Sequence, residues 1–113
     1  MNRNVAIYLR DMLENMRDAE DFVRAMTFER FTSDQKTVNA VLRSAEVIGE
    51  AAKHVPDAVR ERYADIPWKE MSGMRDKVIY AYTSVDLETV WVVVRNITET
   101  GHPELFKLDT ENY

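Results

Sequence analysis

The side chains best suited to chemistry are concentrated between residues 71 and 82, where the sequence reads MSGMRDKVIYAY. This stretch is predicted to form a half-buried helix. It carries a guanidinium, an ammonium group and two phenols, which belong to Arg75, Lys77, Tyr80 and Tyr82. Arginine presents a planar fork of N–H donors, and a phenol both donates and accepts a hydrogen bond. No other part of the 113 residues places so much polar chemistry on an apolar scaffold, so we take this stretch as the candidate site.

The spacing of these side chains limits how they can act together. Residues five apart differ by about 140° around a regular helix, so Arg75 and Tyr80 do not share a face. Residues seven apart return to nearly the same face, which brings Arg75 and Tyr82 together. A joint site of Arg75 and Tyr80 therefore requires a bent helix or a second copy of the chain.

Amphipathic patterns predict the helices that must position this stretch. Apolar residues recur at helical spacing over residues 3–26, 32–54, 56–63 and 86–100, and no alternating strand pattern is present. Thr32 and Gln35 fit a capping box at the start of the second helix, and residues 28–33 are predicted to be a connection. Pro67 suits the first turn of the helix that carries Arg75. The prediction is an all-α fold, an antiparallel four-helix bundle with an additional short helix.

Composition places further bounds on the chain. Its length predicts a single domain over residues 1–113, with a loosely attached tail at 103–113. There are no cysteines, which excludes disulfides and suits a reducing compartment. No apolar run approaches about 18 residues and the first residues lack a signal-peptide core, so we expect a cytoplasmic protein with no membrane span. The net charge of −5 comes without a basic stripe, so any RNA contact should be small.

Several residues also have simpler interpretations. Glu46 and Glu50 are one helical turn apart, but no Glu-x-x-His partner accompanies them, so we expect neither a metal nor a cofactor. His54 ends the second helix, where an imidazole favours the helix dipole, and we prefer that role to a catalytic one. Arg75 could also serve only to bridge helices, with Tyr80 and Tyr82 packing beside it.

Several short motifs, in their order along nearly the whole chain, resemble the HepT-like branch of the HEPN superfamily. These are small helical proteins encoded beside minimal nucleotidyltransferases. The matching segments are residues 11–13 (DML), 43–51 (RSAEVIGEA), 66–68 (IPW), 74–76 (MRD) and 85–91 (VDLETVW). The IGEA run and the spacing between PW and MR are each moderately specific for this family, and together they are strong evidence of the resemblance.

The resemblance implies roles for individual residues. Family members with RNase activity carry Arg-x4-His-x-Tyr, and here Arg75 matches the arginine and Tyr82 the final tyrosine. Asp76 matches the polar residue beside the arginine, which implies a supporting role. Arg75 and Lys77 would bind RNA phosphate. The catalytic histidine position is Tyr80, a departure from the family motif.

This departure weakens the implied chemistry. Metal-independent RNA cleavage needs a group that takes a proton from the ribose 2′-hydroxyl and another that protonates the leaving oxygen. An imidazole with a pKa near about 6.5 can do either, whereas a phenol near about 10 is a poor base at neutral pH. We therefore expect this chain to be weakened or inactive. Tyr80 fits either an engineered inactivation or a natural change in a decayed or repurposed homologue.

The resemblance also implies partners. In this family the unit is a homodimer whose cleft joins the motifs of both copies, and the chain would be a toxin that cleaves an RNA, either a tRNA or an mRNA. An MNT-type nucleotidyltransferase antitoxin would add AMP to Tyr82, where the added charge competes with phosphate for Arg75. Two alternatives stay open: a non-enzymatic helical dimer that binds a nucleotidyltransferase or RNA, and a purely structural dimer without RNA.

Overall fold

The chain forms an all-α structure. The computed structural model describes residues 3–64, 66–73, 75–76 and 87–100, and within these residues no strand is formed. The predicted fold class is therefore confirmed. No helix in the described ranges is long and apolar enough to cross a membrane. The helices are α1 (Arg3–Phe22), α2 (Phe28–Ser33), α3 (Gln35–Lys53), α4 (Asp57–Arg62), α5 (Trp68–Ser72) and α6 (Leu87–Thr100).

Helix α1 is an amphipathic helix whose main apolar stripe is buried. Val5, Leu9, Met12 and Met16 recur at helical spacing and are all buried. The predicted end at residue 26 is wrong, because a turn over residues 23–25 follows α1. Ala25 adopts a positive φ of 60°, and this left-handed conformation stops a helix.

Residues 28–33, predicted to be a connection, form the short helix α2 instead. Thr27 is its N-cap, and its hydroxyl oxygen accepts a 3.2 Å hydrogen bond from the Arg30 N–H. Phe31 is completely buried, which anchors this short helix to the core. The apolar pattern was too short to distinguish a helix of six residues from a loop.

The capping box predicted from Thr32 and Gln35 is also wrong. Asp34 is the N-cap of α3: one carboxylate oxygen accepts from the Thr37 N–H at 3.1 Å and the other from the Thr37 hydroxyl at 2.9 Å. Thr32 belongs to α2, where its hydroxyl donates to the Glu29 carbonyl. The observed N-cap therefore lies two residues after the predicted one, because Thr32 is part of α2.

Helices α1 and α3 pack along each other in opposite directions. Tyr8, near the start of α1, stacks on His54, which follows the end of α3. This pairing agrees with the antiparallel arrangement that we predicted, although the count of four bundle helices depends partly on residues outside the described ranges. The largest fully buried side chains of the core are Phe31, Met12, Leu13, Met16, Ile48, Met71 and Val41.

Helix α6 closes one side of this core. Val90 and Val94 are buried, as their spacing predicted. Trp91 packs its ring 5.0 Å from that of Phe31, so α6 lies against α2 as well as α1. Val92, on the same helix, is 57% exposed.

A polar clamp joins the end of α3 to α4 and α5. The guanidinium of Arg60 donates to the carbonyls of Ala52 and Val55, which lie at and just beyond the last turn of α3. The same guanidinium lies 5.9 Å from the ring of Trp68. The Trp68 indole N–H in turn donates to the carbonyl of Tyr63 at 3.1 Å. The clamp therefore places the start of α5 against the C-terminal end of α3.

The helix predicted to run from Pro67 through Arg75 is interrupted. Helix α5 ends at Ser72, and the Gly73 N–H closes it by donating to the carbonyl of Lys69 at 3.0 Å. Arg75 and Asp76 are again helical. Predictions about Lys77, Tyr80, Tyr82 and the tail at 103–113 lie outside the described residues.

Candidate functional site

A surface cavity lies where the first half of α1 meets the C-terminal half of α3. Its volume is about 330 Å³. Most of its polar lining comes from one face of α3, with two residues from α1 and one from beyond α5. The lining residues are Tyr8, Asp11, Arg43, Glu46, Val47, Glu50, Ala51, His54 and Arg75.

Arg75 is fixed at this cavity by an ion pair with α3. Its Nη1 donates to Glu50 Oε2 at 2.7 Å. The two side chains are 45% and 47% exposed, so the pair lies at the surface rather than in the core. Surface ion pairs contribute little to stability, because both charges remain solvated. The consequence of this contact is positional, since Glu50 aims the guanidinium along the cavity wall.

The imidazole of His54 approaches the same carboxylate from the other side. Its Nε2 lies 3.4 Å from Glu50 Oε1. The ring also stacks on Tyr8, with centroids 4.8 Å apart and planes 17° apart. Glu50 thus stands between an imidazole and a guanidinium, and all three groups line the cavity.

The electrostatics of Glu50 reflect these two neighbours. Partial burial alone raises the pKa of its carboxyl. The positive charge of Arg75 and the hydrogen bonds from His54 and Arg75 lower it by more, so the net pKa is below the ordinary value. Glu50 is consequently ionised at neutral pH and can hold both partners.

Two further ion pairs lie at or near the cavity. Arg43 and Glu46 lie 3.9 Å apart at the rim, and Lys53 lies 3.9 Å from Asp76. Glu46 and Glu50 therefore face arginines rather than each other. Within the described ranges, no group of three or more histidine, cysteine or acidic side chains is arranged to hold a metal ion.

Comparison with known proteins gives this geometry a family context. The family model described as "Ribonuclease HepT-like" matches residues 12–106, which is most of the chain. The chain belongs to the HepT-like ribonuclease family. The resemblance inferred from the sequence motifs is therefore confirmed.

Curated relatives of this HepT-like chain are similar over most of their length. A Methanocaldococcus jannaschii protein named "Putative RNase" is 46% identical over 94 residues, covering 83% of this chain and 78% of its own. A Thermococcus cleftensis protein named "Probable ribonuclease HepT" is 43% identical over 95 residues, covering 84% and 86%. No solved structure gives a significant match.

The HepT-like motif is only partly within the described residues. Arg75 lines the cavity, and Asp76 is exposed opposite Lys53. Lys77, Tyr80 and Tyr82 lie outside the described residues, and their roles stay predictions.

Two cavity residues of this HepT-like chain bring aromatic or titratable rings that the sequence did not assign to the site, His54 and Tyr8. The predicted helix-end position of His54 is correct, since its backbone N–H donates to the carbonyls of Ala51 and Ala52. Its side chain, however, lines the cavity. The four-residue spacing of Glu50 and His54 was the available signal, because it places both on one helix face. Nothing in the sequence indicated Tyr8, which reaches the site through the packing of α1 on α3.

Proposed function

We propose that this chain is a metal-independent endoribonuclease of the HepT type, which cleaves RNA at the cavity beside Arg75. The observation that carries the proposal is the half-exposed guanidinium of Arg75, held by Glu50 at the edge of a polar cavity in a chain of the ribonuclease family. A guanidinium matches the geometry of a phosphodiester through two parallel N–H donors. The names of the relatives support RNA as the substrate class.

Arg75 would act on the phosphate undergoing cleavage. The arginine side chain has five N–H donors, and the contact with Glu50 uses Nη1. Other donors of the same fork would bind the non-bridging oxygens, which gain negative charge in the transition state. Removing one such donor typically reduces the rate by about 10²–10³. Lys77 would add a second positive charge, and Asp76 would support the segment through Lys53.

Tyr80 stands at the histidine position of the motif, which limits the proton transfers that RNA cleavage needs. A phenol has an ordinary pKa of about 10, so Tyr80 would seldom be deprotonated at neutral pH. We therefore propose that position 80 does not supply an efficient base in this chain. Compared with family members that carry the histidine, the chain would be weakened or inactive unless another group takes the proton.

The proposed functional unit is a homodimer. On a regular helix Arg75 and Tyr80 diverge by about 140°, so a site that uses both is completed most simply by a second copy. Ile7, Phe22 and Val92 are exposed large apolar side chains that a contact between copies could cover.

The proposed cellular role is that of a toxin restrained by an MNT-type nucleotidyltransferase antitoxin. The antitoxin would transfer AMP to Tyr82, which the seven-residue spacing predicts to share a helix face with Arg75. The added phosphate would compete with RNA for the guanidinium, and its bulk would block the site. Mass spectrometry after incubation with the partner and ATP tests this step: Tyr82 should gain the mass of one AMP group, and an unchanged mass would remove the claim.

A second candidate is a non-enzymatic helical dimer that binds the nucleotidyltransferase or RNA. Two observations favour it: the motif histidine is replaced by Tyr80, and Arg75 is already paired with Glu50. A binding module would form a stable complex whatever residue stands at position 80, and it would cut no RNA.

Restoring the motif histidine distinguishes these candidates. The Tyr80→His variant should cleave RNA in vitro and arrest growth when expressed without a partner. Adding Arg75→Ala to it should abolish both effects while the complex with the nucleotidyltransferase still forms. If the Tyr80→His variant is folded but harmless and cuts no RNA, the ribonuclease proposal fails and the binding module is favoured.

A further inference from the structure

The cavity holds an imidazole that the family motif does not include. His54 lies at the C-cap of α3, outside the stretch from Arg75 to Tyr82, and its side chain is 50% exposed. It contacts the same carboxylate as Arg75. We propose that His54 is the catalytic base of RNA cleavage in this chain and replaces the imidazole absent from position 80. This inference rests on the proposed ribonuclease function.

The contact with Glu50 selects the form of the imidazole that can act as a base. A neutral imidazole carries its proton on one nitrogen and a lone pair on the other. With Nε2 facing the ionised carboxylate at 3.4 Å, the proton is held at Nε2 and the lone pair is at Nδ1. Contacts of this kind are often longer in a free enzyme than in the substrate complex. A base oriented by a carboxylate is a recurring arrangement in nucleophile activation.

The ring of Tyr8 fixes the plane of the imidazole. The two rings are stacked almost in parallel, 17° apart, so Tyr8 covers one face of His54. An aromatic contact of this type limits rotation of the imidazole without neutralising it. The half-exposed edge of the ring lies in the cavity, where a ribose can reach it.

The shared carboxylate brings His54 and Arg75 to the same part of the cavity. Each group is a single contact away from Glu50, one on each oxygen. A phosphate bound to the Arg75 fork would therefore carry its 3′-linked ribose toward the imidazole. The clamp of Arg60 on the last carbonyls of α3 and on Trp68 keeps the end of α3 and the segment before Arg75 together.

The proposed reaction is an internal transfer within the RNA. His54 Nδ1 takes the proton of the ribose 2′-hydroxyl, and the 2′-oxygen forms a bond to the adjacent phosphorus. The bond from phosphorus to the 5′-oxygen of the next nucleotide breaks, and that oxygen receives a proton from water or from the protonated imidazole. The products are a 2′,3′-cyclic phosphate and a 5′-hydroxyl, and Arg75 offsets the charge that develops on the phosphate oxygens.

Chemical rescue tests His54 in the full chain. A labelled single-stranded RNA is incubated with the unmodified chain, His54→Ala, His54→Gln and Tyr80→His, each with and without added imidazole. His102, the other histidine of the chain, provides the matched control His102→Ala. Products are identified by mass spectrometry as 2′,3′-cyclic phosphates, and circular dichroism records the folding of each variant.

The expected result is slow cleavage by the unmodified chain and by His102→Ala. Cleavage by His54→Ala should fall by about 10²–10⁴, the usual contribution of a general base. Added imidazole should restore part of the activity of His54→Ala, which a purely structural role of His54 would not permit. If His54→Ala does not fold, His54→Gln serves instead, because its amide can still donate to Glu50 and should still lose the activity.

The experiment distinguishes a failure of the proposed role of His54 from a failure of the proposed ribonuclease function. If Tyr80→His cuts RNA while the unmodified chain does not, or if His54→Gln is as active as the unmodified chain, the role of His54 is overturned and the ribonuclease function stands. A folded His54→Ala that stays inactive with imidazole also overturns it. If neither the unmodified chain nor Tyr80→His yields a cyclic phosphate, the ribonuclease function itself fails.

Discussion

The guanidinium of Arg75 donates a 2.7 Å hydrogen bond to Glu50, a residue 25 positions earlier in the chain. This contact connects the motif segment to the cavity face of α3. Because both side chains are about half exposed, the pair adds little to folding stability. Its value lies in holding the guanidinium in one orientation, which a phosphate-binding group requires.

Replacing Glu50 with glutamine should separate binding from catalysis. The amide retains the shape of the side chain but removes a negative charge beside the phosphate site, so RNA should bind more tightly, by roughly fivefold at low salt. Cleavage at saturating RNA should fall about tenfold, because Arg75 and His54 lose the carboxylate that orients them. Measuring Kd and kcat for the unmodified chain and for Glu50→Gln checks both effects.

Glu46→Gln is the control for this prediction. Glu46 is one turn from Glu50 on the same helix face but lies 3.9 Å from Arg43 instead of Arg75. It should give a similar gain in RNA affinity with unchanged kcat. Equal losses of kcat in both variants would show that the orienting role is not specific to Glu50.

Exchanging Arg75 for lysine should reveal the need for a planar fork. Lysine keeps the positive charge but offers a point charge rather than two parallel donors. RNA affinity of Arg75→Lys should therefore exceed that of Arg75→Ala, while both lose about 10²–10³ in kcat. Filter binding and single-turnover cleavage measure the two quantities. Cleavage by Arg75→Lys at the full rate would exclude a bidentate role.

The cap of α3 should make stability depend on pH. The N–H and the hydroxyl of Thr37 both donate to the carboxylate of Asp34 and lower its pKa. A carboxyl with a lowered folded pKa stabilises the fold fully above its unfolded value, about 3.9, and loses that contribution as the pH falls through the folded value. Asp34→Ala should therefore lower the Tm by a few degrees at pH 7, and the difference should shrink toward pH 2.

Thr32→Ala provides the control for the cap. Thr32 was the residue that the sequence favoured as the cap, but its hydroxyl donates to the carbonyl of Glu29 within α2. Its replacement should change the Tm much less than that of Asp34, with no dependence on pH. A larger loss from Thr32→Ala than from Asp34→Ala would reverse the assignment of the cap.

Removing the guanidinium of Arg60 should destabilise the whole chain. Arg60→Met keeps the apolar stem over Trp68 but leaves the carbonyls of Ala52 and Val55 without these donors. We expect a loss of about 1–3 kcal/mol in the free energy of unfolding, measured with denaturant. Arg62→Met, which removes an exposed arginine on the same helix, should cost far less; equal losses would show that the clamp does not stabilise the fold.

Periodicity predicted the long helices well because each buries a wide apolar face. The buried positions of α3 recur at the expected spacing from Val38 to Ala52. Short elements were harder to predict. Thr27, Thr32 and Asp34 are all good caps by residue type, and only the tertiary burial of Phe31 decides that a helical turn lies between them.

The residue of the site that belongs to a local motif was predicted, whereas the contacts that depend on tertiary packing were not. Arg75 was identified from the motif, whose spacing is a local property of the chain. Its partnership with Glu50 depends on how α5 is set against α3, and that is decided by the clamp of Arg60. The contact between His54 and Tyr8 depends on the antiparallel register of α1 and α3, which no single segment encodes.

Four of the cavity residues, Arg43, Val47, Glu50 and His54, follow one another along a single helix at intervals of four, three and four. The geometry of the helix, rather than the conformation of a loop, therefore determines where these side chains lie relative to one another. Inserting or deleting one residue between positions 43 and 54 would rotate half of this row by about 100°, carrying it away from the segment that bears Arg75. Length in this part of the chain should thus be far more constrained than side-chain identity, and active homologues should differ here by exchanges but never by gaps.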